Sequence, residues 1–290
     1  MKSKLLVLLL LSFTFVSATE TKIVAFYTKN IAKVSDTDVR IAIDKILEEG
    51  SRESGLNLVE IFPKSIDELL RGFEEKRYAL ITLNTYDCMR YYERLKPHIG
   101  KVWTIAKDKK HPKERYLLLV KKGTDITDLV DKRVGYVRFS EMQRVYLEYV
   151  TLNSVHMNSE MYFKHILRFS TGSKAILQLF FNQVEGVVVS EHTYKTALEL
   201  NPQLAEKLTI LKSSDAIFPS IGLTISHKGE KGINALYKRF VKNKEDIKNL
   251  SNILMLYKAE AIVAFSKEDL ERVYDFYQDY SHLMQEYGGL

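Results

Sequence analysis

Short strand-like runs alternate with amphipathic helical segments in the first third of the chain, and this alternation constrains the fold most strongly. Residues 23–27, 56–61 and 78–83 are short and mostly apolar, as in buried strands. Between them, residues 36–50 carry apolar side chains at helical spacing, and residues 65–68 form a capping box that begins a second helix. Such alternation favours mostly parallel sheets flanked by helices, so we predict the α/β class.

The stretch His165–Tyr194 repeats the alternation and places a polar turn after each of two strands. Residues 165–169 alternate like a strand, a helix follows the turn Ser170–Ser173, and residues 187–189 form a second apolar strand. In a βαβ unit these turns lie at the carboxyl ends of parallel strands, where open α/β sheets bind ligands. We therefore predict a site for an anion or a polar metabolite at this edge.

The first of these turns has the residue types that an anionic group needs. Hydroxyls, helix N-terminal N–H groups and one cation come from Ser170, Thr171, Gly172, Ser173 and Lys174. The same residues also describe an ordinary helix cap beside a surface lysine. The sequence leaves both interpretations open.

Polar residues that follow other predicted strands complete the set of candidate ligand-binding residues. They are Tyr27, Asn84, Thr85, Tyr86, Ser140, Glu141, Ser190 and Asp215. The two tyrosines either cover a ligand or pack in the core, and Ser190 either contacts a ligand or caps a helix. Glu141 would suit a ligand that carries an amino group.

The N-terminus has the three parts of a secretory signal peptide. Two lysines precede an apolar run from Leu5 to Val16, and Val16-Ser17-Ala18 predicts cleavage after Ala18. An uncleaved anchor is the alternative, although the run is shorter than the ~20 residues of a membrane span. The only cysteine, Cys88, excludes an intramolecular disulfide, and an exported chain without disulfides fits a bacterial periplasm.

Motifs for catalysis and for nucleic-acid binding are absent from the sequence. The seven histidines have no metal-binding spacing, and neither a phosphate-binding loop nor a nucleophile elbow occurs. The formal charge of +6 is dispersed, and its densest run, residues 107–113, is typical of a solvated loop. We therefore predict no metal, no cofactor, no nucleic-acid partner and no enzymatic activity.

Several segments resemble one family, the type 2 periplasmic binding proteins, in its phosphate, phosphite and phosphonate branch of ABC-transporter solute receptors. The similar segments are residues 65–83, 84–86, 128–136, 173–185, 214–219 and 253–274. The resemblance implies two α/β lobes that close over a small solute, joined by two crossover strands near residues 116–120 and 217–221. Lobe one would comprise residues 19–118 and 220–290, and lobe two residues 119–219.

Two departures from the family pattern concern the ligand. Ser140-Glu-Met-Gln143 stands where the family has a Ser/Thr-rich phosphonate-binding turn, and Gly172-Ser173-Lys174 replaces its histidine–acid pair. A carboxylate in this turn would repel a phosphonate or phosphate dianion in a closed cleft. The resemblance therefore supplies the scaffold but not the identity of the ligand.

The combined prediction is an exported, monomeric solute-binding receptor that closes around a small polar, anionic ligand. It would deliver this ligand to an inner-membrane ABC permease. A periplasmic sensory module that docks on a transmembrane kinase or cyclase is the first alternative. An enzyme built on the same scaffold is the second.

Overall fold

The computed structural model describes residues 20–27, 36–230, 232–242 and 250–289. The predicted signal peptide, residues 1–18, and residues 28–35, which follow Tyr27, lie outside these ranges. None of the described helices combines the length and apolar character that crossing a membrane requires.

Thirteen strands and twelve α-helices make up the described chain. The strands are β1 (Thr21–Phe26), β2 (Asn57–Ile61), β3 (Leu80–Leu83), β4 (Ile99–Ala106), β5 (Lys113–Glu114), β6 (Tyr116–Lys121), β7 (Arg133–Val137), β8 (His165–Phe169), β9 (Gly186–Ser190), β10 (Leu208–Ser213), β11 (Phe218–Pro219), β12 (Ile221–His227) and β13 (Ala261–Ala264). The helices are α1 (Asp36–Ser54), α2 (Ile66–Glu74), α3 (Thr85–Arg90), α4 (Tyr92–Leu95), α5 (Glu141–Val155), α6 (Ser159–Tyr162), α7 (Gly172–Phe180), α8 (Glu191–Leu200), α9 (Leu204–Lys207), α10 (Ile233–Lys242), α11 (Leu250–Tyr257) and α12 (Lys267–Tyr287).

The first sheet has six strands in the order β13-β4-β12-β3-β1-β2. Strands β2, β1 and β3 are parallel, whereas β12, β4 and β13 pair antiparallel. Successive side chains of a strand point to opposite faces. Accordingly Leu80 belongs to the apolar cluster that includes residues of α1 and α10, and Ile81 to the cluster that includes residues of α2.

The second sheet has five strands in the order β10-β6-β9-β7-β8. Strands β9, β7 and β8 are parallel, and β6 and β10 pair antiparallel. Leu117 and Leu119 of β6 pack with residues of α7 on one face, while Leu118 and Val120 join the cluster with residues of α5 on the other. Both faces are therefore covered, which explains the continuous apolar run of this strand.

These sheets confirm the predicted α/β, two-lobed fold class, with one correction. We predicted mixed, mostly parallel sheets; both sheets are mixed, but in each the parallel pairings occupy only one side. The antiparallel strands β6 and β12 each begin directly after the short ribbon formed by β5 and β11. Both strands start at this junction, whereas the parallel strands end near it. Strands β6 and β12 therefore run in the opposite direction to the parallel strands.

The β5–β11 ribbon carries the chain between the two sheets. Glu114 pairs with Phe218, and Lys113 with Pro219. Residues 116–120, where we predicted the first crossover, belong to β6, which lies inside the second sheet between β10 and β9. The predicted lobe boundaries stay a prediction, but a boundary after residue 118 would cut β6.

From residue 229 onward the spacing of apolar residues favours helices, but the structure has a strand in this part. Residues 261–264 form β13, the edge strand beside β4. Four apolar residues between two helices fit a helical pattern as well as a strand, and only the partner strand distinguishes them. Farther on, α12 packs against both α3 and α5 and so contacts elements of both lobes.

Candidate ligand-binding cleft

A small polar cavity of about 60 Å³ lies where strand ends of the two lobes meet. Residues 84–86, which follow β3, form the wall on the first lobe, and residues 139–142, which follow β7, form the wall on the second. Tyr116 and residues 219–222, beside the ribbon, form the floor. The predicted residues Asn84, Thr85, Tyr86, Ser140 and Glu141 therefore come together in one site.

The wall on the first lobe is shaped by the cap of α3. The Asn84 side-chain oxygen accepts a hydrogen bond from the Asp87 N–H at 2.7 Å, and its amide donates to the Asp87 carboxylate at 2.5 Å. Thr85 is buried, and the Tyr86 ring lies edge-on to Tyr277 of α12, with centroids 6.1 Å apart. The cap hydrogen bonds and the contact with α12 therefore hold this wall in place.

Asp87 is a half-buried carboxylate at this wall. Burial raises the pKa of the Asp87 carboxyl, the hydrogen bond from Asn84 opposes this, and the nearby charge of Glu141 adds to it. Tyr27 directly follows β1. Burial raises the pKa of the Tyr27 hydroxyl, and the charge of Asp87 raises it further.

Replacing Asp87 by asparagine is expected to stabilise the protein at neutral pH. A raised folded-state pKa means that the stabilising contribution is present below the ordinary carboxyl pKa and is lost as pH rises through the raised value. The gain in the free energy of unfolding should therefore be largest near pH 7 and disappear in acid. Urea unfolding of both proteins at several pH values measures it, and a variant that is less stable at pH 7 would contradict the assignment.

The wall on the second lobe begins with a strained turn. Phe139 has a left-handed φ of 67°, and the side chain of Ser140, the N-cap residue of α5, makes no capping hydrogen bond. Glu141, the first residue of α5, pairs with Arg144 at 3.1 Å. Arg144 itself lines a different cavity, together with Tyr136, Glu148 and residues of α6 and β8.

The floor contains two residues that sequence reasoning missed. Tyr116 stacks on Phe218 with centroids 4.4 Å apart, and its hydroxyl hydrogen-bonds with Ser140. The Oγ atom of Ser220 is buried and has no hydrogen-bond partner among the described residues. Both residues lie within the predicted crossovers, residues 116–120 and 217–221. This position between the lobes was the sequence signal that could have identified them as cleft residues.

The turn after β8 does not line the cavity. Thr171 caps α7 by accepting a hydrogen bond from the Lys174 N–H at 3.2 Å, and Gly172 packs against Thr193 of α8. Ser170, Ser173 and Lys174 belong to the same turn at the sheet edge. This geometry matches the helix-cap interpretation, and ligand contact by these residues stays a prediction.

Ser190 and Asp215 also lie apart from the cavity wall. Ser190 is buried and caps α8 by accepting a hydrogen bond from the Thr193 N–H at 3.3 Å. Asp215 is highly exposed, lies 3.9 Å from Arg272, and lines a different cavity between α5 and α12. Within the described part of the chain, no cluster of three or more His, Cys, Asp or Glu side chains could hold a metal ion.

Two α/β lobes with a polar cleft between their strand ends define a two-lobed solute-binding protein of the type 2 periplasmic class. The chain belongs to the family of periplasmic substrate-binding proteins of phosphonate ABC transporters, whose sequence model matches residues 31–270. This membership confirms the predicted family and the predicted role as the solute-binding component of an ABC transporter. The members of this family are the substrate-binding proteins of transporters.

Solved structures support the same fold. The binding protein component of an ABC phosphonate transporter (PA3383) from Pseudomonas aeruginosa has a TM-score of 0.56 at 14% identity, covering 92% of this chain and 88% of that one. PhnD1 from Prochlorococcus marinus, in complex with methylphosphonate, has a TM-score of 0.56 at 12% identity, with coverages of 90% and 98%. XAC2383 from Xanthomonas citri, bound to ATP, has a TM-score of 0.62 at 8% identity, with coverages of 92% and 99%. No curated protein matches the chain.

Proposed function

We propose that the protein captures a small polar solute with an anionic group in the cleft between its lobes and presents it to an inner-membrane ABC permease. The observation that carries this proposal is the polar cavity formed jointly by residues 84–86 and 139–142. Strand ends from both lobes contribute to it, so a solute bound there would favour closure of the lobes. The small cavity favours a solute of a few non-hydrogen atoms.

Hydrogen-bond donors converge on this cavity. Ser140 offers a hydroxyl from the second lobe, and Tyr116 and Ser220 offer hydroxyls from the floor. Hydroxyl groups are suitable donors to phosphonate, sulfonate or carboxylate oxygens. The methylphosphonate complex of the Prochlorococcus marinus protein supports an acidic group of this kind.

Titration calorimetry with matched serine variants tests where this solute binds. Methylphosphonate, phosphate, methanesulfonate and acetate are the probes for the purified mature protein. We expect Ser140→Ala to weaken binding about tenfold, because one hydrogen bond to a charged group contributes about 1.5 kcal/mol or more. Ser173→Ala, in the turn after β8, is the control and should leave affinity unchanged.

The opposite pattern would overturn this location of the site. If Ser173→Ala abolishes binding while Ser140→Ala has no effect, the solute binds at the N-terminus of α7 instead. If none of the probes stabilises the protein at high concentration, the proposed class of solute is wrong, because ligand at 100 Kd adds about 2.7 kcal/mol to stability.

Location in the periplasm follows from the family, whose members are periplasmic. Cleavage after Ala18 stays a prediction, and N-terminal sequencing of the exported protein tests it. The family does not favour the sensory alternative, in which the receptor docks on a transmembrane kinase or cyclase. A monomer remains our expectation for the oligomeric state.

A further inference from the structure

An apolar cavity of about 100 Å³ lies inside the first lobe, between one face of the six-stranded sheet and the helices α1, α10 and α11. Residues of β1, β3, β4, β12 and β13 line it on the sheet side, and Ile46, Leu236 and Tyr257 are among those that line it on the helix side. It shares only Ile221 and Gly222 with the described lining of the cavity between the lobes. It is therefore a second cavity, which adjoins the floor of the cleft.

Strand β12 has small residues at this cavity, which explains why space remains there. Gly222 and Thr224 line the cavity near the middle of the sheet, whereas the neighbouring strands β3 and β4 contribute the larger Leu80 and Trp103. Between Ile221 and Thr224 the register with β4 shifts, and Gly222 has a left-handed φ of 52°. An extra residue and a glycine in this conformation are typical of a β-bulge. The bulge and the small side chains therefore leave a gap beneath the helices.

The lining of this cavity suits an apolar molecule better than water. Among its described lining residues, only Thr82, Thr224, Trp103 and Tyr257 have a polar group in the side chain. The hydroxyls of the two threonines are 3.0 Å apart and hydrogen-bond with each other, so each already has a partner. A buried water needs about two to four polar partners, whereas an apolar cavity stays dry and accepts apolar ligands.

We propose that the first lobe binds a small apolar molecule in this cavity, an aromatic ring or a short hydrocarbon of about six carbon atoms. An engineered apolar cavity of roughly 150 Å³ in another protein accepts benzene, which sets the scale. The ligand would gain affinity because its apolar surface leaves water and contacts side chains of both the sheet and the helices. This ligand is distinct from the polar solute of the cleft, so the inference does not depend on the proposed function.

Trp103 is the only tryptophan of the chain and lines the cavity, so its fluorescence reports directly on the site. Bromobenzene, whose heavy atom quenches indole fluorescence on contact, is titrated into the mature protein, and benzene is added in thermal unfolding experiments. We expect quenching that saturates, and a rise of about 2 °C or more in the unfolding midpoint at a benzene concentration near saturation. Quenching that never saturates, together with an unchanged midpoint, would overturn the proposal.

Variants that fill the cavity locate the site. Ile46→Phe is expected to abolish both effects, because the larger side chain extends from α1 into the cavity. Ile41→Phe is the matched control and should keep them, since Ile41 lies on the same helix but is 50% exposed. Thr224→Ile fills the space from the sheet and replaces Ile46→Phe if that variant loses the native circular dichroism spectrum. Undiminished benzene binding by a filled variant that keeps this spectrum would overturn the apolar site, whereas the proposed function, which is tested through Ser140, would stand.

Discussion

Replacing Phe218 by alanine is expected to lower the free energy of unfolding by about 3–5 kcal/mol, the range for buried aromatic side chains. Phe218 is fully buried, stacks on Tyr116, and contacts the edge of Phe276 on α12 with centroids 5.1 Å apart. Its backbone pairs with Glu114 in the ribbon between the lobes. The substitution would thus leave a cavity at the junction of both lobes and α12.

Urea unfolding followed by circular dichroism measures this loss. Phe181→Ala is the control, because Phe181 is 59% exposed at the end of α7 and its loss should change stability by less than about 0.5 kcal/mol. A loss below 1 kcal/mol for Phe218→Ala would show that the junction is not tightly packed. Weaker solute binding by Phe218→Ala would show in addition that Phe218 holds Tyr116 in position at the floor of the cleft.

Replacing Gly135 by alanine is expected to destabilise the second lobe by about 3 kcal/mol, at the upper end of the usual overpacking effects. A Cβ atom at this position of β7 would lie 2.4 Å from the Phe169 ring and 2.8 Å from the Leu167 carbonyl oxygen. Leu167 is the register partner of Gly135 on β8, so part of the obstruction is backbone. The strands would have to separate to admit the methyl group.

Gly186→Ala in the neighbouring strand β9 is the matched control for this prediction. Its added Cβ would meet Val134 at 3.4 Å, an ordinary van der Waals distance. We expect a change of less than about 1 kcal/mol there, measured by the same urea unfolding. A loss for Gly135→Ala as small as the one expected for Gly186→Ala would mean that β7 and β8 separate easily at Gly135.

Local patterns in the sequence predicted most of the elements that build the lobes. The strand and helix in residues 165–180, the helix after Ser65 and the strands on either side of it all occur as expected. The predicted capping box forms only in part: Ser65 accepts a hydrogen bond from the Glu68 N–H, but the Glu68 carboxylate accepts from the Lys64 N–H and not from that of Ser65. The strand at residues 261–264 was missed because four apolar residues fit either structure. The correct choice depends on hydrogen bonds to β4, which is remote in the chain.

The sequence predicted the site less completely than the fold. It indicated the turns at residues 84–86 and 140–141, which line the cleft, and the turn at residues 170–174, which does not. All three turns follow strands, so the sequence could not rank them. In the structure β8 is the edge strand of the second sheet, and β7 lies between it and β9.

The sequence by itself determined the strands, helices and caps, because side-chain periodicity and capping act within a few residues. It also carried enough of the family pattern to identify a two-lobed receptor. Only the tertiary structure decided which polar turns face each other across the cleft. Tyr116 and Ser220 adjoin there although they are far apart in the chain, since strand order and the crossing ribbon bring them together. Such contacts depend on the packing of whole lobes, which no local pattern records.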